Sequence, residues 1–156
     1  MNFEHLVIIN EPDNPLVSDL TREELWFGLL CRAENPRPFL PGLESCTIVE
    51  RHDNLLVRDL CFGEVVIRDR VLLQPMEAVT FQSDRTDHHA GGSLMIRIEE
   101  PEPERLVLRF RYDTTLAERT GDPDGPYTEF VKSAYHESDL DTVRVIRMIA
   151  ESGRIQ

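Results

Sequence analysis

Arg58 and Asp69 are the residues of this sequence whose types and spacing point most directly to buried chemistry. The runs on either side of Gly63-Glu64 alternate along the chain. A two-residue turn with glycine first would pair Phe62 with Val65, Leu60 with Ile67, Arg58 with Asp69 and Leu56 with Val71. Apolar meets apolar on every rung but one. On that rung a guanidinium faces a carboxylate, the combination best able to enter a low-dielectric interior together. Such a pair is a poor source of stability, since losing one partner costs about 3–5 kcal/mol while replacing both by apolar groups is often neutral. Two roles fit it: orienting a polar group of a ligand, or a structural contact within a sheet.

Other reactive groups are scattered. Asp84, Asp87, His88 and His89 have the residue types of metal ligands, but adjacent histidines in an extended loop diverge and no further partner stands at a recognised spacing. No metal site is expected there. His5, His52 and His136 read as ordinary surface or packed residues. Cys31, Cys46 and Cys61 have apolar neighbours and form no Cys-x-x-Cys pair, which argues against a nucleophilic thiol. The sequence has no Gly-x-Ser-x-Gly elbow, phosphate-binding glycine loop or dinucleotide fingerprint, so no cofactor is expected. Asp69, Tyr112 and Tyr127 remain as groups able to act as acid or base in a desolvated pocket.

These residues need elements to position them. Phe3 to Asn10 reads as a strand ended by Glu11-Pro-Asp-Asn-Pro15. Thr21 and Glu24 form a capping-box pattern, with Leu20 and Leu25 as its hydrophobic staple. Leu25, Trp26, Leu29, Leu30 and Ala33 continue one apolar helical stripe, and Asn35-Pro36 ends it. From Leu43 to Asp113 the period changes to two. Six strands are expected, at about 44–52, 54–62, 65–73, 76–83, 92–100 and 104–113. Gly125-Pro126 opens a final helix that runs to about Ser152, with Gly153 as its stop and Ser138 as an alternative cap for a broken second half. Consecutive strands flanked by helices make an α+β arrangement.

Strand alternation predicts the inward faces. They are Leu106, Leu108, Phe110 and Tyr112 in the last strand, Leu94, Ile96 and Ile98 in the one before, with Ile98 expected opposite Leu106. The final helix carries Tyr127, Val131, Ala134, Tyr135, Ser138, Thr142, Val145, Ile146 and Ile149 on one stripe, apolar at both ends and small and hydroxyl-bearing in its middle. An Arg/Asp pair on one side and hydroxyls on the other are what a partly polar cavity requires. Trp26, Phe62, Phe81, Phe110, Tyr112, Tyr127 and Val131 are expected as its wall, with Arg58, Asp69 and Ser138 as polar contacts.

This order of elements resembles the helix-grip fold of the START and polyketide-cyclase superfamily, often called SRPBCC, which includes the birch-pollen-allergen-like proteins. The resemblance rests on the helix Leu25 to Ala33, the Phe39-Leu40-Pro41-Gly42-Leu43-Glu44-Ser45 approach to the second strand, the Pro75 hairpin and Glu100-Pro101-Glu102-Pro103 before the last strand. It covers essentially the whole chain, which also looks like the AtaL-like branch, a group of unassigned function. It implies a seven-stranded curved antiparallel sheet wrapped around a long C-terminal helix, with an internal cavity. In relatives such cavities take lipids, sterols, polyketides or plant hormones, and some catalyse cyclisation or dehydration. No catalytic motif is shared across the superfamily, so it transfers no catalytic residue. The segment between first helix and second strand is short where larger relatives have another helix.

Composition bounds the partners. One domain is expected over residues 1–156, because no linker-like segment divides the chain. The net charge of -12 opposes attraction to nucleic acid or anionic membrane. An odd number of cysteines, and no signal-like or membrane-spanning run, fit a cytoplasmic setting. Three functions are compatible with these residues: binding of a small, largely apolar or amphipathic ligand, a cofactor-free cyclase or dehydratase, and a homodimeric interaction module with a vestigial cavity.

Overall fold

The computed structural model describes residues 2–86, 91–114 and 126–155. Strands β1 (Asn2–Ile8), β2 (Ser45–His52), β3 (Leu55–Phe62), β4 (Val65–Gln74), β5 (Ala78–Ser83), β6 (Gly92–Glu99) and β7 (Val107–Thr114) form one antiparallel sheet in the order β1-β7-β6-β5-β4-β3-β2. Helix α1 (Arg22–Glu34) and the 30-residue helix α2 (Pro126–Ile155) complete it. The fold is α+β, an open curved sheet with a long C-terminal helix, the helix-grip architecture.

The β3–β4 hairpin has the expected register on every rung, Phe62 with Val65 through Leu56 with Val71, and places Arg58 opposite Asp69. Gly63 takes a φ of +65°, as the first central residue of such a turn must. The β6–β7 register differs from expectation. Ile98 faces Leu108 and not Leu106, because a turn closed by the Arg105 N–H on the Glu102 carbonyl, with Glu104 at φ +68°, occupies the chain up to Leu106. The shift is two residues, so the inward face is unchanged: Leu106, Leu108, Phe110 and Tyr112 are all buried. Likewise β5 begins at Ala78 and not at 76, because the Glu77 N–H closes a turn on Gln74.

The two helices are pinned to each other end to end. Thr21 and Glu24 exchange the reciprocal bonds of a capping box at the start of α1, each 3.0 Å. Arg154, near the end of α2, grips Glu24 with two 2.7 Å bonds and donates a third to the Asp19 carbonyl. That clamp holds the Glu24 carboxyl at about 2, below its usual range, chiefly through the Arg154 hydrogen bond. It also carries α2 past Gly153, the expected stop. The helix is unbroken at Ser138. Mid-length, the two helices approach closely where Gly28 meets Ile146.

Buried Asn10 anchors the loop before α1. Its side chain accepts from the Leu20 N–H at 2.8 Å and donates to the carbonyls of Leu20 and Glu104 at 3.0 and 2.8 Å. The apolar core gathers inward residues of β1 and β3 to β7 against Leu25, Leu29 and Ala33 of α1 and Val143, Ile146 and Ala150 of α2. Among the described residues, no helix is long and apolar enough to cross a membrane.

Candidate functional site

Between the concave face of the sheet and α2 lies a cavity of about 260 Å³. Leu60, Phe62, Ile67, Phe81 and Leu94 form an apolar wall from strands β3 to β6, and Leu40 closes it from the segment after α1. The polar lining includes Arg32 at the end of α1, Arg58 and Asp69 from the charged rung, Tyr112 and Asp113 from β7, and Tyr135 and Ser138 from α2. The volume sits just under the roughly 300–1,000 Å³ usual for small-molecule sites.

Arg58 and Asp69 are 1% and 5% exposed, and their contact is bidentate: Nε donates to Oδ1 at 2.9 Å and Nη2 to Oδ2 at 2.6 Å. Nη1 donates to the carbonyls of Arg32 and Ala33 at 3.1 and 3.0 Å. These carbonyls belong to the last turn of α1, where the helix leaves acceptors without intrahelical donors and where its dipole is negative. Arg58 is thus a helix cap supplied by a neighbouring strand, with Asp69 holding the guanidinium in plane.

Arg32 is different. It is 6% exposed, lies 4.5 Å from the centre of the Phe81 ring in a cation–π contact, and lines the cavity. Among the described residues no carboxylate lies within ion-pair distance of it, and its buried Nε donates to nothing. Burial pulls its pKa below the ordinary arginine value; the nearby Arg58 charge adds to this, while Tyr112, Asp139 and Asp69 oppose it.

A second polar cluster stands behind Tyr112. Its hydroxyl donates to Oδ1 of Asp139, a carboxylate with 0% exposure on α2, and His5 Nε2 contacts the other oxygen. Burial pushes Asp139 up to about 7, with the Tyr112 hydrogen bond, Arg32 and His136 pulling the other way. Burial first, then the Asp139 charge, raises Tyr112 well above the usual phenol value. His5 is lowered by burial and by His136, whose ring centre is 4.8 Å away. Phe3 stacks on Tyr112 at 4.9 Å, and Tyr135 meets it tilted at 4.4 Å.

The structure therefore gathers Arg58, Asp69, Phe62, Phe81, Tyr112 and Ser138 around the cavity. Trp26 and Phe110, expected on the wall, are packed in the solid core, and half-buried Val131 stands off the cavity. The side chain of Tyr127 and residues Asp87, His88 and His89 lie outside the described residues. Asp84 pairs with Arg70 at 3.2 Å. Of the helix stripe, Ala134 is exposed and Thr142 is buried away from the cavity. Arg32, Asp139 and His5 were not anticipated, although each obeys a visible pattern. Arg32 lies seven residues after Leu25, Asp139 lies between Tyr135 and Ile146 at helical spacing, and His5 alternates with Phe3 and Val7.

No curated protein matches the sequence. Among solved structures, the di-domain ARO/CYC StfQ from the steffimycin biosynthetic pathway is similar at TM-score 0.70 and 13% identity, over 99% of this chain and 52% of that one. The chain thus spans about half the length of StfQ. The Zhui aromatase/cyclase from Streptomyces sp. R1128 is similar at 0.64 and 19%, over 100% and 96%. Human STARD10 is similar at 0.61 and 9%, over 99% and 66%. At such identities the likeness establishes the helix-grip fold shared with START-like proteins. The family model described as AtaL, acetylaranotin biosynthesis cluster protein L, matches residues 7–153, and this chain belongs to that family.

Proposed function

We propose that this protein binds a small, largely apolar molecule with a polar group in the cavity between its sheet and α2. One observation carries the reading: an apolar wall of about 260 Å³ converges on a few polar side chains, the composition by which ligand sites differ from packing defects. Arg58 and Asp69 serve it by fixing the end of α1, since their hydrogen bonds are directed to each other and to the helix. Phe62 and Phe81 supply wall, and Ser138 and Tyr112 polar contacts. The test is extraction: protein purified from its own host is denatured and the released small molecules are identified by mass spectrometry. A compound near one equivalent, lost from the cavity-filling variants Ile67→Trp and Leu94→Trp, supports the reading. Equal recovery from the filled variants sinks it.

The Tyr112–Asp139–His5 chain favours a second reading, a cofactor-free cyclase or dehydratase, in keeping with the aromatase/cyclase neighbours. Tyr112 lines the cavity, and its hydroxyl donates to Asp139. A proton taken from a bound molecule by Tyr112 is matched by one passed to a carboxylate poised near 7, the range a general base needs. Asp69, another candidate acid or base, has both oxygens engaged by Arg58. Matched substrate-like and product-like species in the extract, with turnover lost in Tyr112→Phe, decide for this reading over simple binding.

A further inference from the structure

Two arginines line the cavity, and only one of them is paired. Arg58 and Asp69 cancel in a bidentate pair, whereas Arg32 stands beside them with no partner among the described residues. An isolated guanidinium taken out of water is among the most expensive groups a fold can bury. Nothing in the fold of α1 demands one: the capping of its last carbonyls is already done by Arg58, and the Arg32 side chain contributes no hydrogen bond to any described group. Phe81 packs against the guanidinium, whose carbon lies 4.5 Å from the ring centre, and both residues line the cavity.

We propose that Arg32 receives an anionic group of the cavity ligand, and that the ligand class is an amphipathic organic carboxylate. This rests on the binding reading above and deepens it. A guanidinium offers two parallel N–H donors that match the two oxygens of a carboxylate, a geometry that point-charge ammonium groups do not reproduce. The apolar wall of Phe62, Ile67 and Leu94 takes the hydrocarbon body, and the carboxylate completes the pair that the protein leaves open. The groups facing Arg32 from the surrounding elements are Arg58 on β3, Asp69 on β4, Tyr112 on β7 and Asp139 on α2. Asp69 is committed to Arg58, and Asp139 is committed to Tyr112 and His5.

The probes are 2-naphthoate and its uncharged isostere 2-naphthamide, titrated calorimetrically into the full chain and into Arg32→Met and Arg32→Lys. The expected result is a preference for naphthoate of roughly ten- to hundredfold in the parent protein, the span of a charge-assisted hydrogen bond. Arg32→Met abolishes that preference without weakening naphthamide, and Arg32→Lys restores part of it. Arg32→Met should fold with an unchanged or raised melting temperature, because an unpaired buried charge has been removed. Equal affinities in the parent, or a preference that survives Arg32→Met, overturn the assignment of Arg32 while leaving the cavity reading intact. Failure of both probes to bind overturns the cavity reading itself.

Discussion

Replacing Arg58 by methionine should come close to unfolding the protein, and the structure says how close. Methionine keeps most of the aliphatic stem, so the packing loss is small, but Asp69 is left as an uncompensated carboxylate at 5% exposure. Breaking a buried pair from one side costs about 3–5 kcal/mol. The carbonyls of Arg32 and Ala33 lose their donor as well, at about 1 kcal/mol each. The total is about 5–7 kcal/mol, against about 5–15 kcal/mol for the stability of a typical domain. Adding Asp69→Leu removes the stranded anion and should return about 3 kcal/mol, leaving only the uncapped carbonyls. Urea unfolding followed by far-ultraviolet circular dichroism and by the single tryptophan, Trp26 on α1, measures both steps. The reasoning fails if Arg58→Met costs under about 1 kcal/mol, or if Asp69→Leu on top of it destabilises further.

Asp139 and His5 make opposed contributions to pH dependence. Asp139 is ordinarily at 3.8 and stands at about 7 in the fold, so its contribution is fully present below about pH 4 and lost as pH rises to 7, at most about 4 kcal/mol. His5 is lowered, so its contribution is present above pH 6.5 and lost as pH falls. The melting temperature of Asp139→Asn relative to the parent should therefore climb between pH 5 and pH 8; a flat difference would show that the carboxyl titrates normally. Gly28→Ala places a methyl 2.6 Å from Ile146 Cγ2. The clash should outweigh the roughly 1 kcal/mol that alanine adds to a helix and cost about 1–3 kcal/mol net, so a rise in melting temperature would refute the close approach. Asn10→Ala strands the Leu20 N–H and the carbonyls of Leu20 and Glu104. A cost of about 3 kcal/mol, or roughly 6–12 °C in melting temperature, is expected for a chain of this size, and a drop under about 2 °C would show that water replaces it.

Local rules read most of this fold from the chain because they act over a few residues. The capping box needs only Thr21 and Glu24, and the β3–β4 register follows once Gly63 is placed at the turn. Where two turns compete, local rules lose accuracy: the Glu-Pro segment before β7 could close at several points, and the positive φ at Glu104 that selected one is not a common feature of glutamate. The wall of the cavity was harder still. Phe110 alternates along its strand as Phe62 and Phe81 do along theirs, and Trp26 lies on a helical stripe; only the three-dimensional packing decides which aromatic residues meet solid core and which meet open space.

The charged residues separate along the same line. Arg58 was legible because its partner sits across a two-residue turn, so pairing and burial are one inference. Arg32 and Asp139 lie on buried helical faces, but a charge on an apolar stripe is normally explained by an ion pair with a neighbour in sequence, and neither forms one with a described neighbour. Arg32 faces no carboxylate within ion-pair distance among the described residues, while Asp139 meets Tyr112 and His5 across more than twenty and more than one hundred residues of chain. These two groups share a consequence. With Arg32 unpaired and Asp139 near the boundary of ionisation, the interior carries close to one net positive charge when Asp139 is protonated and none when it is not. An anion entering beside Arg32 therefore favours the protonated carboxyl, and its binding should draw a proton from solution near neutral pH. Calorimetric titration of 2-naphthoate in buffers of different ionisation enthalpy reads that proton directly: uptake approaching one proton at pH 8, vanishing in Asp139→Asn, is the expected result. Binding without proton exchange in the parent would show that the two charged sites are electrostatically independent.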